Sequence, residues 1–168
     1  NYSWRPDSKA IAFNAFDEDP KKEGEDRFNR AFEVQHNHYL MQEAPKASHL
    51  WIQTLDGAPA RRLTSGTWTL PVAFPPGPPP PAAQWSADGK SLVIVRMPTV
   101  YSGDFDRSTI QVVDAETGAM RPLTGRAKSE TQPVVSPDGK LVTYWFPRGG
   151  ESRNVNEIWV TPLSGGEG

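Results

Sequence analysis

Short apolar runs, separated by Asp-Gly and Pro-rich turns, recur along this chain in a fixed order. One phrase reads Trp4-Arg5-Pro6-Asp7-Ser8-Lys9 before Ile11-Ala12-Phe13. It returns as Trp85-Ser86-Ala87-Asp88-Gly89-Lys90 before Leu92-Val93-Ile94-Val95, and as Val135-Ser136-Pro137-Asp138-Gly139-Lys140 before Leu141-Val142-Thr143-Tyr144. A second phrase alternates with the first. Leu50-Trp51-Ile52 runs to Asp56-Gly57 and Arg62-Leu63-Thr64, and Ile110-Gln111-Val112 runs to Thr117-Gly118 and Arg121-Pro122-Leu123-Thr124. Ile158-Trp159-Val160 opens a third copy. The second phrase recurs at offsets of 60 and 48 residues, the first at 81 and 50. The period is therefore near 50, and the first copy carries an insertion over 17–48.

Each phrase has the chemistry of a hairpin. Asp bonds the backbone ahead of it, Gly accepts positive φ, and flanking Val, Ile, Tyr and Trp favour extended chain. The expected strands are 1–4, 10–16, 49–55 and 60–64, then 82–86, 91–97, 108–114 and 119–124, then 132–136, 141–147 and 156–163. Four strands joined by short turns match one blade of a β-propeller. A sandwich has similar turn spacing, but only stacked copies require their phrases in a fixed order. The expected class is all-β: a propeller segment of about three four-stranded antiparallel blades, an incomplete circle. The blades are placed at 1–66, 82–126 and, incomplete, 130–168, with 71–81 as a Pro-rich connector. The chain opens within a strand and closes inside a repeat, so it is expected to belong to a longer protein.

Composition narrows the function classes. A net charge of −2 over 168 residues gives no basic stripe for nucleic acid. No apolar run nears the roughly 18 residues of a membrane span. There is no cysteine, so disulfides are excluded.

The alternating W-S-P-D-G-K and I-W-V…R-x-L-T phrases resemble the propeller repeats of TolB-like proteins. They also resemble the amino-terminal propellers of the prolyl oligopeptidase and dipeptidyl peptidase IV class of serine peptidases. The charged insertion with its aromatic-rich sequel Phe28 to Tyr39, together with Leu63 to Trp68 and Tyr144 to Arg148, resembles the peptidase branch. That resemblance implies a hydrolase domain further along the parent chain, with this segment gating or docking peptide substrates. Its partners would then be the peptide, further blades and the hydrolase. The TolB-like alternative implies a non-enzymatic propeller binding protein partners, and fusion to an amidohydrolase is a third reading.

No catalytic residue, cofactor motif or metal set is assigned within the segment. Pro162-Leu163-Ser164-Gly165-Gly166 lacks the first glycine of a nucleophile elbow and reads as a hairpin. His36-Asn37-His38 has metal-ligand spacing without a third ligand marked by pattern, and His49 stands apart. Dipeptidyl peptidase IV relatives hold a substrate's amino terminus with paired glutamates in a propeller excursion. By that resemblance the candidate binding residues are Glu23, Glu25, Asp26 and Glu33, with Arg27 to orient them, and Arg148 at a strand end. A solvated charged loop is the competing reading. The run Pro75 to Pro81 contains P-x-x-P spacings but reads first as a stiff connector. Trp4, Trp85, Trp51 and Trp159 hold matched frame positions and are expected in the inter-blade core.

Overall fold

A computed structural model describes residues 1–19, 21–34, 43–72 and 79–168. Eleven strands form three antiparallel sheets. The first holds β1 (Tyr2–Trp4), β2 (Ala10–Phe16), β3 (Ser48–Thr54) and β4 (Arg61–Arg62). The second holds β5 (Gln84–Trp85), β6 (Ser91–Arg96), β7 (Thr109–Asp114) and β8 (Met120–Pro122). The third holds β9 (Thr131–Val135), β10 (Leu141–Pro147) and β11 (Asn156–Pro162). Within each sheet the strands follow chain order, as a meander. Every expected strand is present, and the all-β propeller architecture holds.

The turns explain the recurring phrase. In the third sheet the Ser136 hydroxyl donates to Asp138 (2.6 Å), whose carboxylate also accepts the Lys140 N–H (3.0 Å). Ser86 and Asp88 repeat this at 2.6 and 3.0 Å. In the first copy Arg5 replaces the serine and donates to Asp7 at 2.8 Å. Gly139 takes φ 72°, and a Cβ there would lie 2.8 Å from the Ala87 Cβ of the neighbouring turn. The glycine thus serves close approach between sheets as well as a left-handed backbone.

Packing explains why the apolar runs differ. β6 lies in the middle sheet, and Leu92, Val93, Ile94 and Val95 are all buried. Leu92 and Ile94 join Trp85 and Val113 against Ala10, Ala12, Leu50 and Ile52 of the first sheet. Val93 and Val95 join Ile110 and Val112 against Val142, Tyr144 and Phe146 of the third. Fully burying each such side chain contributes about 1.5–3 kcal/mol. The outer sheets alternate instead: Ile158 and Val160 are exposed while Thr161 is buried.

Two expectations shift. The fourth strands are shorter than 60–64 and 119–124, because Leu63 and Leu123 leave the ladder and enter the inter-sheet core. The Leu63 and Thr64 N–H groups both reach the Leu50 carbonyl, at 2.8 and 3.3 Å. The four tryptophans also divide, and Trp51, half-buried between buried Leu50 and Ile52, points to the opposite face of its strand from them. Trp85 is buried and donates from Nε1 to the Ser3 carbonyl at 3.2 Å, and Trp159 packs at the second interface. Trp4 is 55% exposed, since its partner Ile11 places it on the face of the first sheet turned away from the second.

Candidate functional site

A meander places the β2–β3, β6–β7 and β10–β11 loops at one end of the sheets, together with the crossings that link one sheet to the next. Hydrogen bonds confirm the arrangement. Leu70 in the first crossing donates to the Ser48 carbonyl (2.8 Å), and Thr69 pairs with Met97. Ser129 in the second crossing donates to the Asp106 carbonyl in the β6–β7 loop (2.9 Å). The insertion, every long loop and both crossings therefore share one face.

That face concentrates exposed apolar side chains. Phe16, at the loop end of β2, Phe28 and Val34 in the insertion, Phe105 in the next loop and Val155 in the last all protrude. Phe28 is 73% exposed, Phe105 51% and Val155 72%. Most other exposed large apolar groups, including Tyr2, Trp4, Trp145, Ile158 and Val160, lie on the outward sheet faces. Off those faces and the loop end, only Leu55 and Met120 protrude among the described residues.

The insertion leaves the sheet at Phe16 and returns at Ser48, residues that the β2–β3 register sets opposite one another. Its charged start forms a short 3-10 helix, Gly24–Phe28. Glu23, Glu25, Asp26 and Arg27 are exposed there, and no ion pair joins them among the described residues. Arg27 instead covers the Phe28 ring, 4.5 Å from its centroid. Glu33 is exposed and acts on Tyr101 in the neighbouring loop; partial burial and that carboxylate push the phenol's pKa up. Arg148 pairs with Glu157 across the β10–β11 hairpin at 2.7 Å. The six candidates thus occupy three separate places on the loop face. His36, His38 and Pro75 to Pro78 lie outside the described residues.

Sequence reasoning missed two clusters. At the root of the insertion, Asp17 accepts from Arg62 (2.8 Å) and contacts Nδ1 of His49 (3.0 Å). His49 is fully buried, edge-on to Trp68 at 4.8 Å, and its Nε2 has no hydrogen-bond partner. The register pairing of Ala15 with His49 draws these groups together across the insertion. The second cluster lies in the second crossing. Glu130 is 1% exposed, and its carboxylate accepts the Ile110 N–H (3.0 Å) and the Thr124 hydroxyl. Burial pushes its pKa up, and the nearby Arg126 opposes that rise. Arg126 stacks between Trp159 (3.9 Å) and Phe146 (4.5 Å) and donates to the Glu167 carbonyl (2.7 Å). Among the described residues no group of three or more His, Asp or Glu side chains is placed to hold a metal ion.

The chain is similar to the solved structure of TolB from Acinetobacter baumannii, with 15% identity over 97% of its length and a TM-score of 0.55. It is also similar to a putative TolB from Agrobacterium tumefaciens, with 19% identity over 98% of its length and a TM-score of 0.53. The fold is a TolB-like β-propeller segment. This chain spans 29% and 42% of those two proteins respectively. No protein-family profile and no curated protein sequence matches it.

Proposed function

We propose that this segment is a non-enzymatic, partner-binding part of a TolB-like propeller, and that its loop-bearing face docks a polypeptide. The observation that carries the reading is the one-sided display of Phe16, Phe28, Val34, Phe105 and Val155. Each β2–β3, β6–β7 and β10–β11 loop contributes at least one, while the turns at the opposite end expose Leu55 alone among the described large apolar residues. Exposed apolar groups rimmed by charge mark interaction surfaces, and aromatic residues dominate their cores. The charged 3-10 turn with Glu23, Glu25, Asp26 and Arg27 supplies such a rim.

A wall that screens a hydrolase domain is the competing use of this face. That reading rests on the sequence resemblance alone, whereas the likeness to two TolB propellers supports the partner-binding one. The test is photo-cross-linking in the native host, with the reactive amino acid replacing Phe105 or, at the opposite end, Leu55. A discrete cross-linked polypeptide from position 105 and none from 55 is expected. Equal labelling from both positions, or none from 105, would overturn the proposal.

A further inference from the structure

Between the loop ends of the second and third sheets lies a groove of about 300 Å³. We propose that it takes an arginine side chain of the docked polypeptide, an inference that rests on the docking reading above. Its walls are mixed: Gly103, Phe105 and Pro147 supply apolar surface, and the other five lining residues end in polar groups, a combination that suits a side chain with an apolar stem and a polar head. Those five are Asp106, Ser129, Thr131, Ser152 and Asn156, and all of them carry acceptor oxygens. The sixth relevant residue is Phe105, whose half-exposed ring forms an aromatic wall.

Charge points the same way. Among the described residues no cation pairs with the Asp106 carboxylate, while its neighbours are matched: Arg107 with Asp104 (3.2 Å) and Arg148 with Glu157 (2.7 Å). A guanidinium brings five donors in a planar fork, a face that stacks on an aromatic ring and an apolar stem for the walls. A lysine ammonium offers three donors and no plane to stack. The fold already holds one arginine this way, Arg126 between Trp159 and Phe146.

The floor is held in advance. Ser129 adopts φ 55°, a left-handed conformation costly to a residue with a side chain, and Ala127 and Gln132 do likewise at 59° and 52°. Such strain persists only where surroundings over-determine it, and it clusters at functional sites. Here the Ser129 N–H and hydroxyl both donate to the Asp106 carbonyl, at 2.9 and 2.8 Å, clamping one loop to the next. The serine oxygen retains its lone pairs for a ligand.

The test titrates the isotopically labelled chain with N-acetyl-arginine amide and with its neutral isostere, N-acetyl-citrulline amide. Amide resonances of Phe105, Ser129 and Asn156 are expected to shift saturably with arginine, and at least about tenfold more weakly with citrulline. Asp106→Asn, an exposed substitution whose folding is checked by its melting curve, is expected to remove that difference. Equal binding of the two ligands, or unchanged arginine binding in Asp106→Asn, overturns the anchor. If cross-linking from position 105 persists in that event, the docking face stands without it. If arginine binds as expected and cross-linking fails, the docking reading falls alone.

Discussion

Replacing Glu130 by leucine is expected to stabilise the protein, and the internal repeat supplies the reason. Leu70 holds the same place in the first crossing: it donates to Ser48 as Glu130 donates to Ser108, at 2.8 and 3.1 Å. Leu70 is 2% exposed and Glu130 1%. In the first sheet the Thr64 hydroxyl accepts the Leu50 N–H directly at 3.0 Å. In the second sheet the Glu130 carboxylate stands between the matching groups, Thr124 and the Ile110 N–H. Glu130→Leu frees Thr124 to take that N–H, as Thr64 takes the Leu50 N–H, so the buried backbone donor stays paired. The substitution trades one net hydrogen bond, from Thr124 to the carboxylate and worth about 1.5 kcal/mol, for the burial of an apolar side chain, about 1.5–3 kcal/mol. It also removes the desolvation of a buried carboxyl, which offsets that loss. A net gain of about 1–2 kcal/mol corresponds to a Tm rise of roughly 2–8 °C for a chain of this size. The sign with pH follows from burial. A carboxyl whose folded pKa is raised contributes stability below its ordinary value of 4.5, and that contribution is lost as pH rises through the folded value. The advantage of Glu130→Leu over wild type therefore grows from acid to neutral pH. Thermal melts of both proteins across that range read it. A variant less stable at neutral pH, or a difference independent of pH, would refute the reasoning and assign the Arg126–Glu130 attraction the larger role.

Gly118 has φ 75°, and a Cβ there would collide with the Leu63 carbonyl oxygen, so Gly118→Ala is expected to destabilise by about 2–3 kcal/mol in denaturant titration. A loss below about 0.5 kcal/mol would show that the first and second sheets approach less closely than described. The Ser136 hydroxyl and the Lys140 N–H hold the Asp138 carboxyl below its ordinary pKa, a contribution present above that value and lost as pH falls through the folded one. NMR titration of Ser136→Ala is expected to move the Asp138 pKa upward; an unmoved pKa contradicts the turn's hydrogen-bond scheme.

The scaffold was legible because its signals are local and repeated. Ser136-Pro137-Asp138-Gly139-Lys140 fixes a hairpin by bonds within the phrase itself, and a copy such as Ser86 to Lys90 does the same. Leu63 and Leu123 look like strand residues, yet they are drawn out of the ladder by a core that only stacking creates. The site residues depend on distant partners and were less readable. Asp17, His49 and Arg62 meet only because β2 and β3 pair across the whole insertion. Glu130 reads as one more surface carboxylate until the crossings are superposed and Leu70 is found in its place. The carboxylates from Glu23 to Glu33 are close in sequence, but a short 3-10 turn followed by irregular chain leaves Glu33 acting on Tyr101.

The central claim is that binding belongs to the loop-bearing face and the stacked sheets only support it. Calorimetric titration of the purified cross-linked partner tests this against two variants. One carries Phe28→Ser, Phe105→Ser and Val155→Ser; the other carries Leu55→Ser and Met120→Ser. All five side chains are exposed, so both variants are expected to melt close to wild type. Affinity is expected to fall about a hundredfold or more in the triple variant and to stay unchanged in the double. Equal affinity in the triple variant, or a comparable loss in the double, would contradict the claim.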